Sequence, residues 1–112
     1  MFKKTVLAAT LAAACIPLTQ AQAADYTIDT EGQHAFVQFK ISHLGYSYIL
    51  GSFEDFSGEF SYDPEDLSAS SVEVEVDVAS LNSNHAERDK HILSDDFLDA
   101  GEYPTATFAS TG

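Results

Sequence analysis

Residues 72–78 read Val-Glu-Val-Glu-Val-Asp-Val, a strict alternation of valine with carboxylate side chains. Successive side chains of a β-strand point to opposite faces, whereas a helix would distribute the same valines around its surface. As a strand, this segment places all four valines on one face and all three carboxylates on the other. It therefore predicts a strand with one face against an apolar interior and the other in water.

Shorter segments on both sides of this one show the same period of two residues, which is typical of half-buried strands. Gly58 interrupts one of them and predicts a bulge or a tight bend. Asp63 and Pro64 predict a turn after it, because proline presets the turn geometry and aspartate can bond the following backbone. Residues 44–48 also predict a turn. Strands are predicted over residues 26–28, 34–42, 56–62 and 105–108, with another beginning at residue 51. Short strands separated by turns predict an all-β, antiparallel fold.

Residues 84–98 break the strand pattern and read Asn-His-Ala-Glu-Arg-Asp-Lys-His-Ile-Leu-Ser-Asp-Asp-Phe-Leu. Asn84 is predicted as the N-cap of a short helix, because Glu87 follows it at the spacing of a capping box. Gly101 and Pro104 are expected to end the helical insert. Arg88, the only arginine, is expected to pair with Asp95, Asp96 or a strand carboxylate, or else to contact a polar head group.

The histidines of this insert do not predict a metal site. His85 and His91 are six residues apart, which places them about 120° apart around a helix, and zinc helices use a spacing of four. The expected role of the helix is that of a capped, ion-paired surface element.

The N-terminus predicts a signal peptide over residues 1–23. Lys3 and Lys4 supply its positive region, a short apolar run follows, and a small-x-small motif ends at Ala23. The apolar run is shorter than the roughly 20 residues of a membrane span, which argues against a retained anchor. Cleavage would remove Cys15, the only cysteine; a lipoprotein acylated at Cys15 is the alternative. The predicted location is the periplasm.

The remaining chain, residues 24–112, is strongly acidic. Without Lys3 and Lys4, three cationic residues stand against 18 acids, a formal charge of −15. Such a chain is repelled by phosphate backbones, so nucleic acid is excluded as a partner. The charge itself predicts solubility.

No sequence motif predicts catalysis. The chain has no nucleophile elbow, no phosphate-binding glycine loop and no dinucleotide fingerprint. The prediction is a protein that is not an enzyme and that uses no cofactor and no metal. The phenylalanines and valines form an apolar set that either fills a core or leaves room for a ligand. The residue pattern alone does not separate these two alternatives.

Several segments, in order along the chain, resemble the YceI family. They are His34-Ala35-Phe36-Val37, His43-Leu44-Gly45, Gly51-x-Phe53, Phe56-Ser57-Gly58, Asn84-His85-x-x-Arg88-Asp89-x-His91-x-x-Ser94-x-Asp96-Phe97 and Tyr103-Pro104-x-Ala106-Thr107-Phe108. The resemblance implies an antiparallel lipocalin-like β-barrel with a short helical insert near residues 84–98. It also implies that residues 24–112 are an N-terminal portion of the domain, with the barrel incomplete.

The same resemblance implies a function, namely the binding or transport of a polyisoprenoid lipid or isoprenoid quinone, without stable membrane insertion. A homodimer is left open. A stress-responsive scaffold with a filled core and no ligand is the alternative. The residues expected to line an apolar wall are Phe39, Ile41, Phe56, Phe60, Val74, Val76 and Phe108. Those expected at a polar rim are His43, His85 and Arg88.

Overall fold

The computed structural model describes residues 22–112. The predicted signal peptide therefore lies almost wholly outside the described residues. Within them, every strand pairing is antiparallel, and no helix has the length and apolarity that a membrane crossing requires. The elements are β1 (Ala24–Thr27), β2 (Val37–His43), β3 (Ser47–Phe53), β4 (Phe56–Tyr62), β5 (Ser71–Asp77), β6 (Leu81–Asn82), α1 (Ala86–Ile92) and β7 (Thr105–Ala109), with 3-10 turns at Leu67–Ala69 and Val78–Ser80.

A four-stranded sheet in the order β1-β4-β5-β7 contains the alternating segment at its centre. Val76 lies opposite Phe56 and Ala106, and Val74 lies opposite Gly58 and Phe108. Side chains that are opposite each other in an antiparallel pair share a face. The predicted sorting of valines and carboxylates is thus confirmed in β5, where the acids are exposed. Val78 lies beyond the strand, in the following 3-10 turn.

A three-stranded sheet in the order β2-β3-β6 is built around one hairpin. Its register runs from the pair Val37 and Phe53 to the pair His43 and Ser47. The predicted boundaries were wrong in two places: residues 34–36 are not in the strand, and β3 begins at Ser47 rather than at residue 51. The tight turn at residues 44–46 explains the second error, because it brings Ser47 directly opposite His43.

The two sheets meet at a corner where the chain passes twice from one to the other. The turn at Asp55 lies against Ser80: the Asp55 N–H donates to Ser80 Oγ at 2.9 Å, and the Asp77 N–H donates to the Asp55 carbonyl at 2.9 Å. The fully buried apolar side chains of residues 22–112 are at or beside this corner; they are Val76, Val78 and Leu81. The lipocalin-like strand arrangement is present, but these sheets do not close into a barrel within the described residues.

Gly58 does not form the predicted bulge. Its pairing with Val74 continues the register without interruption. A Cβ at this position would lie 2.7 Å from the Glu73 carbonyl oxygen and 2.7 Å from Ile28 Cδ1. Glycine is therefore required by close packing, which the local sequence pattern cannot distinguish from a bulge.

The turn predicted at Asp63 is confirmed. The buried Asp63 carboxylate accepts hydrogen bonds from the backbone N–H groups of Glu65 at 2.9 Å and Asp66 at 3.2 Å. It thereby satisfies the backbone where β4 ends, and this fixes the point from which the chain returns as β5.

We expect Gly58→Ala to lower the free energy of unfolding by about 2 kcal/mol, because the new methyl group overlaps the Glu73 carbonyl. Gly101→Ala is the matched control, since a Cβ there meets nothing within 4 Å. It should change the free energy by less than about 0.5 kcal/mol. Urea unfolding followed by circular dichroism measures both, and equal effects would contradict the packing argument.

Candidate ligand-binding groove

A groove of about 540 Å³ lies between the three-stranded sheet and the segment that contains α1. Its lining is mostly apolar. The residues around it, hereafter the groove, are Phe39, Ile41, Ser42, His43, Ile49, Phe53, Leu81, Arg88, His91, Ile92, Phe97 and Leu98. A concave apolar site with few polar groups is the usual form of a small-molecule site in proteins.

The sheet side of the groove follows from the β2–β3 register. Ile41 lies opposite Ile49, so both present their side chains to the same face. Phe39 and Phe53 meet on this face with ring centroids 5.8 Å apart and planes tilted by 53°. Gly51 lies opposite Phe39, and a Cβ there would lie 2.2 Å from Phe39 Cζ. The missing side chain at Gly51 thus makes room for the Phe39 ring.

The helix that borders the groove begins one residue later than predicted. His85, not Asn84, is the N-cap, and its Nδ1 accepts a hydrogen bond from the Arg88 N–H at 3.1 Å. Asn84 instead has a left-handed backbone with φ of 65°, a conformation that asparagine tolerates well. The reason is a preceding turn in which the Asn84 N–H donates to Asn82 Oδ1 at 2.8 Å. The helix ends at Ile92, and residues 94–98 form turns rather than further helix.

Arg88 does not pair with Asp95, Asp96 or a strand carboxylate; no ion pair within residues 22–112 includes it. Its Nε donates to Ser83 Oγ at 2.8 Å, and its Nη2 donates to the Ser83 carbonyl. Ser83 is buried, and both its N–H and its hydroxyl donate to Asp89 Oδ1. The expected ion pair is replaced because the end of β6 places backbone and hydroxyl partners within reach of the guanidinium. This network holds α1 beside β6.

The outer end of the groove is formed after the helix. His91 Nε2 lies 3.0 Å from Asp96 Oδ2, and the His91 ring meets Phe97 edge-on with centroids 5.0 Å apart. Phe97 remains 63% exposed. The turn at residues 94–98 is thereby folded back toward the sheet, with an aromatic ring over the groove.

The groove brings together four of the predicted site residues: Phe39 and Ile41 of the wall, and His43 and Arg88 of the rim. His85 does not line it, because its ring is used as the helix cap. The other predicted wall residues lie on the four-stranded sheet, outside the groove; they are Phe56, Phe60, Val74, Val76 and Phe108.

Sequence reasoning missed most of the helix side of the groove. Ile92, Phe97 and Leu98 were read only as parts of a surface insert. Their apolarity beside a charged segment was the available signal, but their orientation depends on the turn after Ile92. Ile49 and Phe53 were missed because the strand containing them was predicted to begin too late.

A second hollow of about 340 Å³ lies next to the groove and is lined by both polar and apolar residues. Val37 and Phe53 enter it from the three-stranded sheet and Phe56 from the four-stranded sheet. Phe53 also lines the groove. The apolar faces of the two sheets are therefore connected through this hollow.

We expect Ser83→Ala to destabilise the helix that borders the groove by about 1–3 kcal/mol, because it removes the hydroxyl shared by Arg88 and Asp89. Hydrogen exchange of the α1 amides should accelerate accordingly. Ser57→Ala is the control, since Ser57 lies on the exposed face of β4 and its hydroxyl has no partner within residues 22–112. Unchanged α1 exchange in Ser83→Ala would contradict this role.

Sequence comparison places the chain among curated bacterial relatives. A protein from Azotobacter vinelandii described as "UPF0312 protein" is 60% identical over 112 residues, which is 100% of this chain and 58% of that protein. A Vibrio cholerae relative with the same description is 62% identical over 109 residues, 97% of this chain and 58% of the relative. The chain thus spans 58% of the length of these relatives.

Solved structures give the same assignment. BcnA from Burkholderia cenocepacia is 28% identical with a TM-score of 0.64, over 69% of this chain and 48% of that one. A YCEI protein from Campylobacter jejuni is 35% identical with a TM-score of 0.56, over 73% and 48%. The family profile described as "YceI-like domain" matches residues 26–112. With this match over most of its length, and with an antiparallel lipocalin-like sheet arrangement, the chain belongs to the YceI-like domain family.

Proposed function

We propose that this protein binds a polyisoprenoid or isoprenoid-quinone-type lipid, and that the groove holds part of its apolar chain. The observation that carries the proposal is an open apolar groove of about 540 Å³, a size within the range of small-molecule sites. Apolar surface removed from water contributes about 25 cal/mol per Å². A prenyl chain would thus gain by leaving water for this lining, and no catalytic chemistry is required.

The connection between the two sheets supports an elongated ligand. The groove leads through Phe53 to the second hollow, and from there to Phe56 on the four-stranded sheet. The apolar face of that sheet continues with Phe60, which is 38% exposed, and Phe108, which is 60% exposed. A long apolar chain would cover such a path, whereas a compact ligand would leave most of it in water.

The alternative of a scaffold with a filled core has less support. Within residues 22–112 the fully buried apolar side chains are confined to Val76, Val78 and Leu81. A filled core would bury the large aromatic side chains, which are most of the apolar surface in this chain. We also propose a periplasmic location, which rests on the sequence of residues 1–23.

Native mass spectrometry of the protein purified from the periplasm of a Gram-negative host tests the proposal. A mass excess that is released on denaturation and has the mass of a prenyl lipid would support it. A folded protein that carries no lipid and takes up none when incubated with farnesol or a short-chain ubiquinone would count against it.

We expect Ile41→Glu to weaken farnesol binding at least about tenfold, because a carboxylate would be buried against the ligand without a partner. Leu50→Glu is the matched control. Leu50 lies on the partner strand but on the opposite face, opposite Lys40, and both positions are exposed, at 54% for Ile41 and 66% for Leu50. The two variants therefore carry the same added charge. Equal losses in both would argue against the groove as the binding site.

A further inference from the structure

The charges of this domain are unevenly distributed around the groove. The chain has 18 acidic residues, all within the described part of the chain, and none of them lines the groove. The ionisable groups in the lining are the Arg88 guanidinium and the imidazoles of His43 and His91. Solubility alone does not require this separation, since it would be served by acids on any surface.

Arg88 is held in place but is not neutralised. Its two hydrogen bonds to Ser83 fix the guanidinium, and no carboxylate pairs with it within residues 22–112. A guanidinium has more N–H donors than these bonds use. No buried side-chain nitrogen of the described residues lacks a partner, so the remaining donors reach accessible space beside the groove.

The histidines add further donors on the same lining. The His43 ring makes no hydrogen bond within residues 22–112 and follows Ile41 on the groove face of β2. The only carboxylate bonded to a lining histidine is that of Asp96, whose side chain is 71% exposed. Asp96 therefore lies toward solvent, and water screens its charge more than that of a buried group.

We infer that the groove selects apolar ligands that end in an anionic head group, a phosphate or a carboxylate, with Arg88 as the residue that recognises it. This inference rests on the proposed lipid-binding function and specifies the ligand class. Charge-assisted hydrogen bonds from a fixed guanidinium are stronger than bonds between neutral groups. An apolar surrounding strengthens them further, because it lowers the local dielectric constant.

The test compares two probes with the same apolar chain, farnesyl monophosphate and farnesol, by titration calorimetry at fixed ionic strength. The wild-type protein should bind the phosphate about tenfold more tightly than the alcohol. Equal affinities, or tighter binding of the alcohol, would overturn the inference while leaving lipid binding intact. Failure to bind either probe would instead contradict the proposed function on which it rests.

Variants assign the preference to Arg88. In Arg88→Met the ratio of the two affinities should fall to about one, whereas Arg88→Lys, which keeps the charge, should retain part of the preference. Lys90→Met is the control: it removes the same charge from the same helix, but Lys90 does not line the groove. It should leave the ratio unchanged, and an equal loss in Lys90→Met would show that net charge rather than Arg88 sets the preference. Circular dichroism confirms the fold of each variant; should Arg88→Met not fold, Arg88→Lys and the wild-type ratio decide.

Discussion

The structure depends on the corner at which the chain leaves one sheet for the other. Ser80 bonds the turn at Asp55, and the Asp77 N–H closes the same turn from β5. Val76, Val78 and Leu81 are buried there, so hydrophobic burial and backbone hydrogen bonding coincide at one place. Because the corner sets the direction of both sheets, it also determines that their apolar faces border the second hollow together.

The groove requires a second constraint, the attachment of a short helix to a sheet edge. A seven-residue helix is marginal in isolation, since isolated helices need about 12–15 residues to be stable in water. The His85 cap and the network of Ser83, Arg88 and Asp89 supply what helix propensity does not. The residues that stabilise the helix thus also place Arg88 at the groove, so that position and charge are fixed by the same contacts.

How far sequence reasoning could reach depends on the range of the interactions involved. The alternation in β5 and the turn at Asp63 are local, and both were predicted correctly. The helix cap, the partner of Arg88 and the role of Gly58 were wrong, because each depends on a residue from another element. For the same reason only part of the groove was predicted: Phe39 and Ile41 follow from strand alternation, whereas Phe97 reaches it through a turn with no periodic pattern.

The acidity of the domain and the character of its groove have opposite effects on an anionic ligand, and they act over different distances. The outward carboxylates of β5, such as Glu73 and Glu75, repel an anion at long range, but salt screens exposed charges beyond about 8–10 Å. Arg88 acts only at contact, where an apolar lining weakens screening. Association of an anionic lipid should therefore be slow at low salt and faster as salt rises, while the bound complex is held mainly by apolar burial. A carrier with this arrangement would take up such a ligand from direct contact with its source rather than from free solution.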